Sequence, residues 1–167
     1  LKGTKIAVSL PGQQVLGRFF DLPPLPAKKV ADAIGYEARH QLPIPLEELC
    51  WASHVQDALE SKVADESSRR ILVVAARAAH VRERIAALKT AGIQADCVTS
   101  ECLALHNALA HEMFDAHDPA GQPAAVCGLD MGAASTNIVV SSPRSVWFRT
   151  FGQGGDAFTA QVVRQLG

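Results

Sequence analysis

The chain has 167 residues, 48% of them hydrophobic, and a formal net charge of -1. That length and apolar share suit one domain or two small subdomains with modest cores. No block of like charge is long and no apolar run could span a bilayer, which argues against nucleic-acid binding and against direct membrane insertion.

Ile6, Val8 and Leu10 alternate with Lys5, Ala7 and Ser9, the pattern of a half-buried strand, and Pro11-Gly12 ends it. Leu16–Leu22 reads as a second strand, with Arg18, Phe20 and Leu22 on one side and Phe19 on the other. Pro23, Pro24 and Pro26 stop sheet pairing and lead into a helix from Ala27 to Gln41. Its inward stripe is Val30, Ile34, Ala38 and Leu42, and Pro43 and Pro45 end it. Leu49, Trp51 and Val55 alternate with polar or small residues as a third strand, and the charged segment 60–70 reads as a hairpin loop. The continuous apolar run 71–75 has strand length and suits the centre of a sheet. A helix follows with Val81, Ile85 and Leu88 inward and Gly92 as its stop. Strand, strand, helix, strand, strand, helix makes a compact α+β unit with helices on one face of a small sheet.

The organisation then restarts. Residues 95–100 read as a short strand, and Glu101 opens a helix whose stripe is Cys102, Leu105, Leu109 and Met113. The helix dipole alone explains an acidic residue at its first position. His106, His111 and His117 invite a metal hypothesis, but 106 and 111 do not share a helix face. None of Cys50, Cys97, Cys102 and Cys127 forms a C-x-x-C pair, and Cys102 and Cys127 read as buried reduced thiols. Residues 115–122 read as a loop. Later, Ser145–Phe151 reads as a strand, Gly152, Gly154 and Gly155 as a strand-to-helix turn, and Phe158, Val162 and Leu166 mark a last helix. Both ends of the chain read as cut from something longer.

Chemistry concentrates between Val126 and Val140. An apolar run ends on Asp130, Gly132 opens a turn, and Ser135, Thr136 and Asn137 lead into a second apolar run. Turn N–H groups with the Thr136 hydroxyl can surround a phosphate. Asp130 beside them would repel a bare anion, so a cation or water belongs between. Aspartate, glycine turn and hydroxyl together suggest a metal-nucleotide phosphate site. An ordinary hairpin with an Asp-Gly-type turn accounts for the same residues. There is no P-loop motif, no G-x-G-x-x-G and no G-x-S-x-G.

The order of elements resembles the actin-like ATPase superfamily. It runs from the Gly92–Val98 strand approach through Ser100-Glu101-Cys102, then Asp130-x-Gly132-x-x-x-Thr136-Asn137, to Gly154-Gly155 opening a helix. Ser9-Leu10-Pro11-Gly12, Phe20-Asp21-Leu22-Pro23-Pro24, Glu37-Ala38 before Gln41-Leu42-Pro43-Ile44-Pro45, and Trp51 narrow it. They resemble the PilM family of type IV pilus assembly. The resemblance implies an α/β fold, with residues 1–94 as the inserted small α+β subdomain and 95–167 as part of an actin-like, ribonuclease-H-like core.

It also implies ATP and magnesium as cofactors, with Asp130 holding magnesium through water. Gly132 and Thr136 line the phosphates, with Ser135 and Asn137 in the same motif. Glu101 stands as the acidic catalytic residue near the metal, although Cys102 follows it where the superfamily often has proline. The implied partners are the cytoplasmic N-terminal peptide of a PilN-like inner-membrane protein and other pilus assembly proteins. The implied role is a cytoplasmic, nucleotide-responsive adaptor at the inner-membrane face. The first phosphate motif and the adenosine half lie outside these residues, so the chain by itself is expected to bind ATP weakly or not at all. An FtsA-like filament protein and a sugar-kinase-type phosphotransferase are the alternatives.

Overall fold

A computed structural model describes residues 3–56, 69–114 and 125–166. The expected loops at 60–70 and 115–122 lie largely outside the described residues, as does His117. The chain divides into two compact units: Leu1–Leu10 with Gln14–Val98, and Pro11–Gln13 with Thr99–Gly167.

The first unit is built on an antiparallel sheet in the order β2 (Val15–Leu22), β4 (Arg69–Arg77), β3 (Leu49–Gln56). The apolar run 71–75 is the central strand, as its composition requires. Residues paired across an antiparallel ladder share a face. The pairs Leu16↔Ala75, Arg18↔Val73, Phe20↔Ile71 and Leu49↔Arg77 therefore set one face, which carries Leu22, Ile71, Val73, Ala75 and Leu49 into the core. Helix α1 (Ala27–Gln41) lays Ile34 and Ala38 on that face, with Leu42 and Leu46 beyond its end. Leu42 is extended (φ -90, ψ 135), as a residue before proline must be, and its N–H closes on the Ala38 carbonyl at 3.0 Å.

Strand β3 departs from the expected alternation. Only Leu49 and Gln56, at its two ends, are buried, and Trp51 and Val55 are exposed. Among the described residues it pairs with β4 alone, and the buried core cluster takes only Leu49 from it.

Helix α2 (Ala78–Thr90) continues directly from β4, with Val81, Ile85 and Leu88 half-buried. It stops at Gly92, whose φ of 72° is a conformation that costs glycine little. The Ile93 N–H reaches the Leu88 carbonyl and the Gly92 N–H the Lys89 carbonyl, both at 2.9 Å, which satisfies the last carbonyls of the helix. Strand β1 (Ala7–Leu10) pairs with β5 (Cys97–Ser100). Ahead of that pair, the Asp96 carboxylate accepts the Ile6 N–H at 2.9 Å.

The second unit sets helix α3 (Glu101–Met113) against an antiparallel meander of β6 (Val126–Met131), β7 (Thr136–Ser141) and β8 (Val146–Phe151). Ser100 caps α3, its hydroxyl accepting the Leu103 N–H at 3.1 Å. Gly128 lets β6 approach the helix. An added Cβ there would stand 2.6 Å from Leu109 and 3.3 Å from Leu105. Cys102, Leu105 and Leu109 form the inward stripe, whereas Met113 at the last turn is exposed.

The register puts Gly128, Asp130, Asn137, Val139, Ser141 and Thr150 on one face of the meander. Cys127, Leu129, Met131, Val140, Trp147 and Phe151 fall on the other, and these are exposed. The expectation of a buried Cys127 is therefore wrong. The apolar run looks buried on both sides, but only every second residue of β6 faces α3. Helix α4 (Gly155–Leu166) follows β8 after a glycine turn, with Phe158, Val162 and Leu166 all exposed.

Candidate functional site

The site grows from one buried amide. Asn137, 2% exposed, lies on the covered face of β7 opposite Asp130 of β6 and Thr150 of β8. Its Nδ2 donates to Glu101 Oε2 and to Asp130 Oδ2, each at 3.2 Å. Its Oδ1 accepts the Thr150 hydroxyl at 2.7 Å and the Cys102 thiol at 3.5 Å. Both donors and both acceptor sites of the amide are thereby used. The orientation is fixed by charge, since a flipped amide would aim its oxygen at two carboxylates. Asn137 thus ties together Glu101, from the first turn of α3, and Asp130, from the end of β6, which lie far apart in sequence.

Three further groups complete the cluster. The Gly12 N–H donates to the same Glu101 Oε2 at 3.1 Å. Gly12 is buried, and a Cβ there would collide with the Thr150 hydroxyl and the Asn137 side-chain oxygen Oδ1. Cys102 lies beneath, its thiol 3.5 Å from the Thr150 oxygen. Burial pushes the Cys102 thiol up from its ordinary 9.0, and the Glu101 and Asp130 charges push the same way, against a lowering by the Thr150 hydrogen bond. It is a neutral, inert thiol at neutral pH.

Beside the carboxylates, the β6–β7 turn and the start of α4 interlock. The Gly132 N–H donates to the Ser135 carbonyl at 2.9 Å. The Gly132 and Ala133 carbonyls then accept the first two α4 donors, Gly155 N–H at 2.9 Å and Asp156 N–H at 3.0 Å. Gly154 is buried against these same carbonyls, with no room for a side chain. The Thr136 hydroxyl donates to the Gln153 carbonyl at 2.7 Å.

The fold therefore brings together Glu101, Asp130 and Asn137 of the residues expected from sequence. Gly132 and Ser135 sit in the adjoining turn, and Thr136 lies on the opposite face of β7 from Asn137. Gly12, Thr150 and Cys102 were not expected as partners of the site. Gly12 was legible only as the end of a strand, because nothing local ties it to a residue 89 positions later. His106, weighed for metal, instead shares a 2.6 Å hydrogen bond with Ser141. Among the described residues, no group of three or more His, Cys, Asp or Glu side chains is gathered to hold a metal. Two hard carboxylates under a glycine turn suit magnesium, which keeps several waters and takes one or two carboxylates.

The model of the family described as type IV pilus assembly protein PilM matches residues 2–167. The chain belongs to the PilM family. Its fold is similar to a solved PilM–PilN type IV pilus biogenesis complex, with a TM-score of 0.72 and 24% identity, covering 99% of this chain and 47% of that one. It is also similar to the cytoplasmic domain of EpsL, an inner-membrane component of the type II secretion system of Vibrio cholerae. There the TM-score is 0.57 at 12% identity, over 89% of this chain and 51% of that one. The chain thus spans about half the length of either structure. No sequence among the curated proteins matches it. Among the described residues, no helix is long and apolar enough to cross a membrane.

Proposed function

We propose that the protein carrying this chain is a cytoplasmic adaptor of type IV pilus assembly, placed at the inner-membrane face. It binds the N-terminal peptide of a PilN-like partner and responds to magnesium-bound ATP. The observation that carries the adaptor reading is the family match across 2–167, joined by likeness to a chain solved with PilN. In the proposed site, Asp130 holds magnesium through water and Glu101 stands as the second carboxylate. Asn137 fixes both at one spacing by the two bonds of its amide. Gly132, Ser135 and Thr136 form the turn beside the phosphates. Magnesium would screen the phosphate charge from the two carboxylates. The chain's own residues supply position and charge, and the family's remaining half supplies the adenosine wall.

A synthetic peptide of the partner's cytoplasmic N-terminus, titrated into the full-length protein by calorimetry with and without Mg-ATP, tests this reading. Saturable binding whose affinity changes with Mg-ATP is expected. No binding in any nucleotide state would sink it.

A further inference from the structure

Between β1 and β2 the chain leaves the first unit for three residues only. Leu10 and Gln14 belong to that unit, and Pro11–Gln13 belong to the second. This short strap is held at two points. The Gly12 N–H donates to Glu101 Oε2, and the Gln13 side-chain amide donates to the Ala134 carbonyl in the β6–β7 turn at 3.3 Å. The missing Cβ of Gly12 is what allows the backbone to lie against Asn137 and Thr150. The strap and Asn137 spend their donors on the same oxygen of Glu101.

We infer that Pro11–Gln13 is a latch whose hold on Glu101 competes with a divalent cation at the Glu101–Asp130 pair, so that cation–nucleotide binding loosens it. This rests on the nucleotide reading above. The N–H carries partial positive charge and compensates Glu101 while the pair has no cation. A cation beside the carboxylates repels that N–H and weakens the oxygen as its acceptor. A ligand shifts a two-state equilibrium only by its differential affinity for the two states, and the effect is reciprocal. Releasing the latch must therefore tighten cation binding by the factor with which the cation releases the latch.

Amide hydrogen exchange at Gly12 in the full-length protein reads the latch directly, beside calorimetry of Mg-ATP binding. Mg-ATP is expected to speed exchange at this amide about fivefold or more, the lower range of such couplings. ATP with chelator leaves it unchanged. Gly12→Ala removes the fit, so exchange is fast without ligand and Mg-ATP affinity rises by a similar factor. Gln13→Ala, which introduces no clash, gives a smaller change of the same sign and guards against misfolding of the first variant. Mg-ATP binding with unchanged exchange, or variants with equal or weaker affinity, overturns the latch and leaves the nucleotide reading standing. No binding of Mg-ATP, or of Mg2+ alone, overturns both.

Discussion

Asn137 shows how much one side chain can fix. It holds two carboxylates with one NH2 group, and the Thr150 hydroxyl and Cys102 thiol hold its oxygen in turn. Asn137→Asp keeps the shape and replaces two donors by a third negative charge facing two others. Asn137 is buried but Asp130 is exposed, so solvent screens part of the repulsion, and the loss should be about 1–3 kcal/mol. Part of that loss should return with millimolar Mg2+, raising Tm more than in the parent protein. An urea midpoint within error of the parent would show that the bridge does not matter. Cys102 offers a second reading of the same cluster. Its folded-state pKa is raised, mainly by burial. The contribution it makes to stability is therefore complete below the ordinary thiol value of 9.0 and is lost as pH climbs through the higher folded value. Cys102→Ala should flatten the alkaline decline of stability. A thiol reagent at neutral pH should modify Cys50, Cys97 and Cys127, all exposed, and reach Cys102 only on unfolding. Rapid labelling of Cys102 in the native protein would contradict its burial.

At the scale of elements, the glycines around the hairpin divide by what a methyl group would meet. At Gly154 it would meet the backbone carbonyls of Gly132 and Ala133, which also bind the start of α4. Backbone cannot swing aside, so Gly154→Ala should cost about 3 kcal/mol and fray α4. At Gly128 it would meet the ends of Leu109 and Leu105, which can change rotamer, so the cost should be about 1–2 kcal/mol. At Gly155 the nearest atom is an ordinary contact 3.9 Å away, and the alanine should be neutral or gain about 0.5 kcal/mol of helix propensity. Denaturant midpoints that did not follow this order would refute the interlocked turn. The same elements show what sequence can carry. Helix α1 was legible because Pro26 and Pro43 bracket a clean apolar stripe. The arrest of α2 at Gly92 was legible because positive φ has a residue signature. Exposure of β3 and of Cys127 was not, because alternation and apolar runs record what a strand could bury. They do not record which neighbours pair with it. The D-x-G hairpin and Glu101 were named from sequence, but their meeting through Asn137, Thr150 and Gly12 depends on long-range packing that spacing does not encode.

For the whole molecule, the informative surface is the one α3 leaves uncovered. The far face of the meander carries Leu129, 58% exposed, and Met131, 67% exposed, with Val140, Trp147 and Phe151 beside them in register. Helix α4 separately carries Phe158, Val162 and Leu166, the last 83% exposed. Contiguous apolar surface of this kind is unusual on a soluble monomer and marks contact with other protein. The chain spans about half the length of the PilM-type and EpsL structures it matches, and we propose that in a longer protein of that kind the other half covers this face. Expressed without it, the chain should bind a hydrophobic dye and self-associate at tens of micromolar, as seen by sedimentation velocity. Leu129→Lys with Met131→Ser should reduce both effects at unchanged far-UV circular dichroism, because these side chains face away from α3 and add nothing to the described core. In the full-length protein the same pair should instead lower Tm, since there the lysine would be buried without a partner. The opposite signs in the two settings are what the register demands. A destabilised short chain, or an unaffected long one, would mean that β6 presents its other face to the cover.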